Sequence, residues 1–462
     1  MQHFLYICSI KAKRNIMFKR LIIKGLQDWR NSVEHLPLVV RGTRQVGKTT
    51  LIHQFGETFS NYLYLNLERS EDKELMETKM PLRDLVTLLF VRLGKDRRQG
   101  DTLIFIDEIQ NSPQTVARLR YFYEDMPELY VVAAGSLLEN IVDVNVSFPV
   151  GRVDYLPVRP CSFREFLVAT GRENQIEVMR MPEYTTPFHN EYMSFFNQYC
   201  LVGGMPEAVQ HFADTQDLLS VEKVYRRLLR GYMDDVEKYA KTSKMTETVR
   251  FLMQYGWYQA GAVIKLGNFA GSEYRSREVA EAFRLLQKAM LLELVYPSTS
   301  TRIPALPEHR RMPKLFWMDT GMLNYAAKIR TEIISANNLL DVWKGRIGEQ
   351  IVAQELLTLN NDINQTRSFW TKGKGDSGAE VDLTWVVDSH LIPIEVKTGH
   401  NSHLRSLHSF IDEAPIDLAV RVWSGPFSIN DVVTTIKRKK FRLLNIPFYL
   451  VGELENIVRK NS

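Results

Sequence analysis

Residues 37–50 read Pro37-Leu38-Val39-Val40-Arg41-Gly42-Thr43-Arg44-Gln45-Val46-Gly47-Lys48-Thr49-Thr50. A short apolar run ends at Arg41, the pattern G-x-x-x-x-G-K-[ST] fills 42–49, and LIHQFGETF over 51–59 has helical character. Strand, glycine loop and helix in that order make a phosphate cradle. The glycines let the chain curl until successive backbone N–H groups point at one anion, and the helix adds its positive N-terminal end. Gly42, Thr43, Arg44, Gln45, Val46, Gly47, Lys48, Thr49 and Thr50 are therefore candidate nucleotide-binding residues. In such a loop the lysine, here Lys48, reaches the β- and γ-phosphates, and the hydroxyl of Thr49 ligates Mg²⁺.

Four more apolar runs follow at 62–67 (YLYLNL), 102–106 (TLIFI), 129–134 (LYVVAA) and 153–158, with helical stretches between them. That alternation predicts a parallel sheet covered by helices. Asp107 closes the run 102–106, 58 residues after Thr49, where a strand-end carboxylate faces the metal in a Walker-B arrangement. Glu108 comes next. It is either a solvated loop carboxylate or a general base that polarises the attacking water; beside Asp107 and the loop the catalytic role is preferred, and the pair points to hydrolysis as well as binding. Ser136 ends the following strand, where a polar side chain can touch the γ-phosphate or the water, and Gln110 can do similar work. Arg152 either acts on the nucleotide of a neighbouring subunit in a homo-oligomer or makes an internal salt bridge.

The chain has 462 residues, 45% of them hydrophobic and 24% charged, with a net charge of +5. This excludes a fibre and a largely disordered chain. No run reaches the ~18 apolar residues of a membrane-spanning helix, so no membrane partner is expected. Cys8, Cys161 and Cys200 lie far apart without metal-ligand spacing, which fits inert thiols in a reducing, cytoplasmic setting. The apolar run at 4–10 precedes its cations (Lys11, Lys13, Arg14, Lys19), the reverse of a secretory signal. Residues 1–16 are read as an over-extended or disordered start, with translation beginning at Met17.

A second cluster of chemistry lies near the other end. Glu349 sits in the helical segment GRIGEQIVAQELL, Asp382 in the strand AEVDLTW, and Glu395 and Lys397 in PIEVK, the next strand. In a strand Glu395 and Lys397 share one face, and hairpin pairing brings Asp382 beside Glu395. Glu349, Asp382 and Glu395 can hold Mg²⁺ or Mn²⁺, hard cations that take oxygen ligands. Lys397 then orients or activates a water for attack on a phosphodiester. Glu380 is a further carboxylate on the same strand face as Asp382. Between the two sites, 246–317 reads helix, helix, helix, strand, polar loop, strand, the order of a winged helix. Arg302, Arg310, Arg311 and Lys314 lie in or beside its wing, where arginines either contact DNA phosphates or are solvated charges on a protein-contact or spacer module.

GTRQVGKTT, LIFIDEIQ, VVAAGS and GRVDYLPVRPCSFREFL together resemble the AAA+-type P-loop ATPases of bacteria and archaea, over roughly residues 18–210. The resemblance implies ATP as ligand and an ASCE-class core, with an extra strand between the P-loop and Walker-B strands and a catalytic glutamate. YCLVGGMPEAV and PKLFWMDTGML resemble the C-terminal domain of unknown function usually fused to such ATPases. The ordered set Glu349, Asp382, Glu395, Lys397 resembles the PD-(D/E)xK nuclease superfamily, most of all its archaeal Holliday-junction-resolvase type.

The expected fold class is thus α/β multidomain, with an ASCE/AAA+-like P-loop NTPase, a helical and winged-helix middle, and a PD-(D/E)xK nuclease-like C-terminal domain. The expected boundaries are 17–160 for the ATPase core, 161–240 for a helical lid or linker, 241–335 for the winged helix and 336–462 for the nuclease-like domain. Two functions fit. One is a Mg²⁺-dependent ATPase coupled to DNA processing. The other is a nucleotide-switched DNA- or protein-binding regulator whose nuclease fold is silent.

Overall fold

A computed structural model of the chain describes residues 18–135, 151–240, 242–328, 346–359, 367–373, 378–398 and 404–462. Ser136, Cys8 and the segment 1–16 lie outside the described residues.

The first sheet is built from β1 (Leu38–Arg41), β2 (Asn61–Asn66), β3 (Thr102–Asp107), β4 (Tyr130–Gly135) and β5 (Asp154–Pro157), in the order β2-β3-β4-β1-β5. Every neighbouring pair is parallel. Such strands must be covered on both faces, and β3 is buried along its whole length. The period of two divides the apolar side chains between the faces. Leu38, Val40, Leu103 and Phe105 pack with Leu26 of α1 (Ile23–Arg30) and Leu51, Ile52 and Phe55 of α2 (Lys48–Gly56). Val39, Ile104 and Ile106 pack on the other side with Met76 of α3 (Ser70–Glu77), Leu89 of α4 (Leu82–Arg92) and Leu119 of α5 (Pro113–Asp125). Because β4 lies between β1 and β3, the ends of β1 and β3 open a crevice above β4, where parallel α/β sheets bind ligands.

After β5 the chain turns helical through α6 (Phe163–Ala169), α7 (Asn174–Met179), α8 (His189–Val202), α9 (Pro206–Thr215) and α10 (Val221–Tyr239). α6 starts with a capping box: Ser162 Oγ accepts from the Glu165 N–H, and the Glu165 carboxylate accepts from the Ser162 N–H. The next unit holds α11 (Ser243–Tyr255), a 3-10 turn at Gly256–Gln259, α12 (Ser276–Lys288) and the antiparallel pair β6 (Leu292–Val295) and β8 (Lys314–Trp317). β7 (Pro297–Ser298), between them in sequence, instead joins the last sheet, and α13 (Thr320–Ala326) follows.

The C-terminal part runs α14 (Arg346–Leu356), β9 (Ser368–Thr371), β10 (Glu380–Val387), β11 (His390–Lys397), α15 (Arg405–Glu413), β12 (Leu418–Trp423), β13 (Ser428–Val433), β14 (Lys440–Pro447) and α16 (Leu454–Asn461). Its seven strands are ordered β13-β14-β12-β11-β10-β9-β7. β9, β10 and β11 form an antiparallel meander, and β12 pairs with β11 in parallel after the crossover helix α15.

One buried apolar cluster extends from Cys161 to Val458, so the helical, middle and C-terminal segments share a core. Polar side chains on α14 tie them together. Gln350 accepts from the Trp317 N–H (2.9 Å) and donates to the Trp317 carbonyl (2.6 Å), and Gln354 accepts from the Thr320 N–H (2.9 Å). Glu355 accepts from the Phe163 N–H (3.0 Å) and from the Tyr199 hydroxyl (2.7 Å). Each satisfies backbone that the packing has removed from water.

Burial pushes the Glu355 carboxyl from its ordinary 4.5 up to about 7, against the pull of its bonds to Tyr199 and Phe163. The folded chain therefore keeps a proton that the unfolded chain releases. The resulting stability is complete below the ordinary value and lost as pH climbs through about 7. Glu355→Gln keeps an acceptor oxygen and cannot ionise. Thermal melts should show the variant gaining on wild type from roughly pH 5 to 8, by on the order of 1–3 kcal/mol at the upper end. Parallel curves would show that Glu355 carries no such proton.

Candidate functional site

The loop after β1 closes on itself through its lysine. Lys48 Nζ donates to the carbonyls of Gly42 and Thr43, each at 2.9 Å. Burial lowers its pKa to about 8, opposed by the nearby Glu108 and Asp107. Gly47 has φ +91°, and a Cβ on Gly42 would stand 2.5 Å from the Val158 carbonyl oxygen, so both positions need glycine. Thr43 and Val46 are buried, Thr49 and Thr50 half-buried, and Arg44 and Gln45 exposed.

Thr49 at the start of α2 donates to Asp107 Oδ2 at the end of β3, at 2.8 Å. Burial raises the Asp107 carboxyl above its ordinary range, while the Thr49 bond lowers it. The other oxygen, Oδ1, accepts from the Glu108 N–H at 3.0 Å. Glu108 stands at φ +53°, a left-handed backbone uncommon for a residue with a side chain and concentrated at functional sites. Gln110 donates to its carboxylate. The hydroxyl at the start of α2 and the carboxylate at the end of β3 are thus paired with each other, and oxygen donors of this kind fit Mg²⁺. Arg152 pairs with Glu124 at 3.5 Å across the surface of the same unit.

Three contacts to the loop come from residues the motif did not single out. Arg20 Nη1 donates to the Val46 carbonyl (3.2 Å), the Tyr232 hydroxyl donates to the Arg44 carbonyl (2.6 Å), and Asp235 accepts from the Arg44 guanidinium. Tyr232 and Asp235 are three residues apart on α10, hence on one helix face. Nothing local in the sequence marks them, because their partner lies 188 and 191 residues away.

The structure also brings the second set of residues together. Leu383 on β10 faces Ile394 on β11, which sets Asp382 beside Glu395, and Asp382 Oδ2 accepts from the Val396 N–H at 2.8 Å. Lys397 Nζ lies 2.6 Å from Glu395 Oε1. Glu349 reaches the same place from α14. Its partner is a cation that the sequence reading set in or beside the wing: Lys314, whose Nζ is 2.9 Å from Glu349 Oε2 and 2.8 Å from Glu380 Oε1. Pairing of β8 with β6 turns Lys314 inward, where it is 2% exposed. Arg311, also placed on the wing, is bound to Glu308 (2.7 Å) and Thr371 (2.8 Å).

Burial pushes Glu349 up to about 7 and Glu395 up to about 8, with Asp382 adding to both. Among the described residues no group of three or more His, Cys, Asp or Glu side chains is arranged to hold a metal. With two of its carboxylates on Lys314, the cluster as it stands does not fit a divalent ion.

Comparison with known proteins bears on the first of these sites. An AAA domain matches residues 34–167. The N-terminal unit, with its parallel sheet and glycine loop, is thus similar to the P-loop domains of the AAA type. Two domains of unknown function match residues 193–333 (DUF8612) and 344–449 (DUF4143). No curated protein matches. Among solved structures, the Walker-type ATPase of Pyrococcus abyssi is similar at 16% identity and a TM-score of 0.41, covering 68% of this chain and 97% of that one. Among the described residues no helix is long and apolar enough to cross a membrane.

Tyr232→Phe removes only the hydroxyl that holds the Arg44 carbonyl. Urea unfolding should show a loss on the order of 0.5–1.5 kcal/mol. An unchanged midpoint would mean that α10 does not restrain the loop through this bond.

Proposed function

We propose that the chain binds ATP through Gly42–Thr50 and hydrolyses it, and that this cycle is coupled to a nuclease-like C-terminal domain that acts on DNA. The observation that supports hydrolysis most is the Thr49–Asp107 hydrogen bond across the ends of α2 and β3, with Glu108 next to it. Thr49 and Asp107 would hold Mg²⁺, which on binding neutralises charge on the phosphates. The remaining roles belong to the chain itself. Lys48, now bonded to two loop carbonyls, exchanges them for phosphate oxygens. The loop N–H groups orient the phosphates for in-line attack. The Glu108 carboxylate, once released by Gln110, accepts the proton of the attacking water.

The order helix, three-stranded meander, helix, parallel strand (α14 to β12) supports the nuclease-like reading of the C-terminal part. The two helices and antiparallel pair of 243–317 support a winged helix. A second function, a nucleotide-switched regulator with a silent nuclease fold, is favoured by one observation: Lys314 occupies the carboxylates that a metal would need.

Lys48→Ala should lose nucleotide binding in a fluorescence titration, falling by at least about tenfold. Glu108→Gln should bind ATP as wild type does and release phosphate about 10²–10⁴ times more slowly. Fast turnover in Glu108→Gln would assign the water to another group. The same reactions run with linear, nicked, branched and single-stranded DNA separate the two functions. Cutting that Asp382→Ala abolishes supports the nuclease, and intact DNA throughout supports the regulator.

A further inference from the structure

Lys314 opens β8 in the middle unit, yet its side chain ends inside the carboxylate cluster of the C-terminal unit. Its backbone is fixed by pairing with Val295 on β6 and by a bridge to Val263, so the side chain enters from a rigid base. An ammonium offers three protons and no acceptor. Glu349 (2.9 Å) and Glu380 (2.8 Å) take the short contacts, and the Asp382 carbonyl lies at 3.4 Å with its carboxylate at 3.8 Å. The Phe369 ring, its centroid 5.0 Å away, covers another side of Nζ. Lys397 holds Glu395 by one oxygen. The other, Oε2, is buried and has no hydrogen-bond partner among the described residues, and Glu395 is 5% exposed.

Two ammoniums thus supply the double positive charge that one divalent ion would bring, and an acceptor of Glu395 is left over. A divalent ion among these oxygens would stand a few ångströms from Lys314 with little water to screen the repulsion.

We propose that Lys314 is the resident cation of this cluster: a latch that holds the β6–β8 pair on the C-terminal unit and keeps divalent metal out while it is in place. The inference rests on the nuclease-like reading of the C-terminal part, whose carboxylates become a metal site only where the ammonium has left. It makes the metal site conditional on the position of the middle unit.

The test is Mn²⁺ binding to the full-length, nucleotide-free chain, followed by electron paramagnetic resonance of free Mn²⁺. Lys314→Met should bind one Mn²⁺ about 10–100 times more tightly than wild type. Lys314→Arg, which keeps the charge, should behave as wild type, and adding Asp382→Asn to Lys314→Met should remove the gained site. Should Lys314→Met fail to fold, Glu380→Gln loosens the same ammonium by removing one partner, and should tighten Mn²⁺ binding by about threefold or more. Equally tight binding by wild type and Lys314→Met, lost in Asp382→Asn, overturns the latch and leaves the nuclease-like site standing. No binding in any variant overturns the latch and the metal-dependent nuclease together.

Discussion

Moving an ammonium or guanidinium out of water costs several kcal/mol unless carboxylates and carbonyls replace the lost hydration, and Arg20 and Lys314 are both almost fully buried. Each is a place where two parts of the chain must meet correctly or leave a charge unpaired. Arg20 spends all its nitrogens at one junction. Nε bonds Glu165 (2.8 Å), Nη1 the Val46 carbonyl and Nη2 the Arg159 carbonyl (2.8 Å). Glu165 in turn accepts from the Leu21 N–H and caps α6. The segment before the first strand, the phosphate loop, the end of the first sheet and the helical unit are thereby fixed to one another by one guanidinium.

The phosphate loop is consequently held from two sides. Arg20 grips it at Val46, and α10 grips it at Arg44 through Tyr232 and Asp235. A ligand that reshapes this loop changes bonds to both. α10 belongs to the cluster that continues through the middle unit to α16, and Gln350, Gln354 and Glu355 of α14 bond the backbone at the end of β8, the start of α13 and the start of α6. A continuous packed and hydrogen-bonded route therefore joins the nucleotide loop to the C-terminal sheet.

The second cluster illustrates how a local pattern can be correct in placement and incomplete in chemistry. Strand period alone puts Glu395 and Lys397 on one face, and the short connection after β10 makes the hairpin that sets Asp382 beside Glu395. Neither says which cation sits there. That was decided by Lys314, whose sequence neighbours Arg310, Arg311 and Pro313 mark a polar turn and give no hint of a buried end. Its membership depends on β8 pairing with β6 and on α14 delivering Glu349 to the same spot.

The sequence by itself determined what is set within a few consecutive residues: the glycine loop between β1 and α2, the carboxylates at the end of β3, and the alternation that assigns Val39 and Val40 to opposite faces of the sheet. These follow from φ preferences, the strand period and the chemistry of a short motif, which act locally. Only the tertiary structure decided the partners of the charges: Arg44 with Asp235, Arg20 with Glu165 and Lys314 with Glu349 and Glu380. Those pairs span from 35 to 191 residues. No local pattern encodes them, because the cost of burying an unpaired charge is felt only once packing has removed the water.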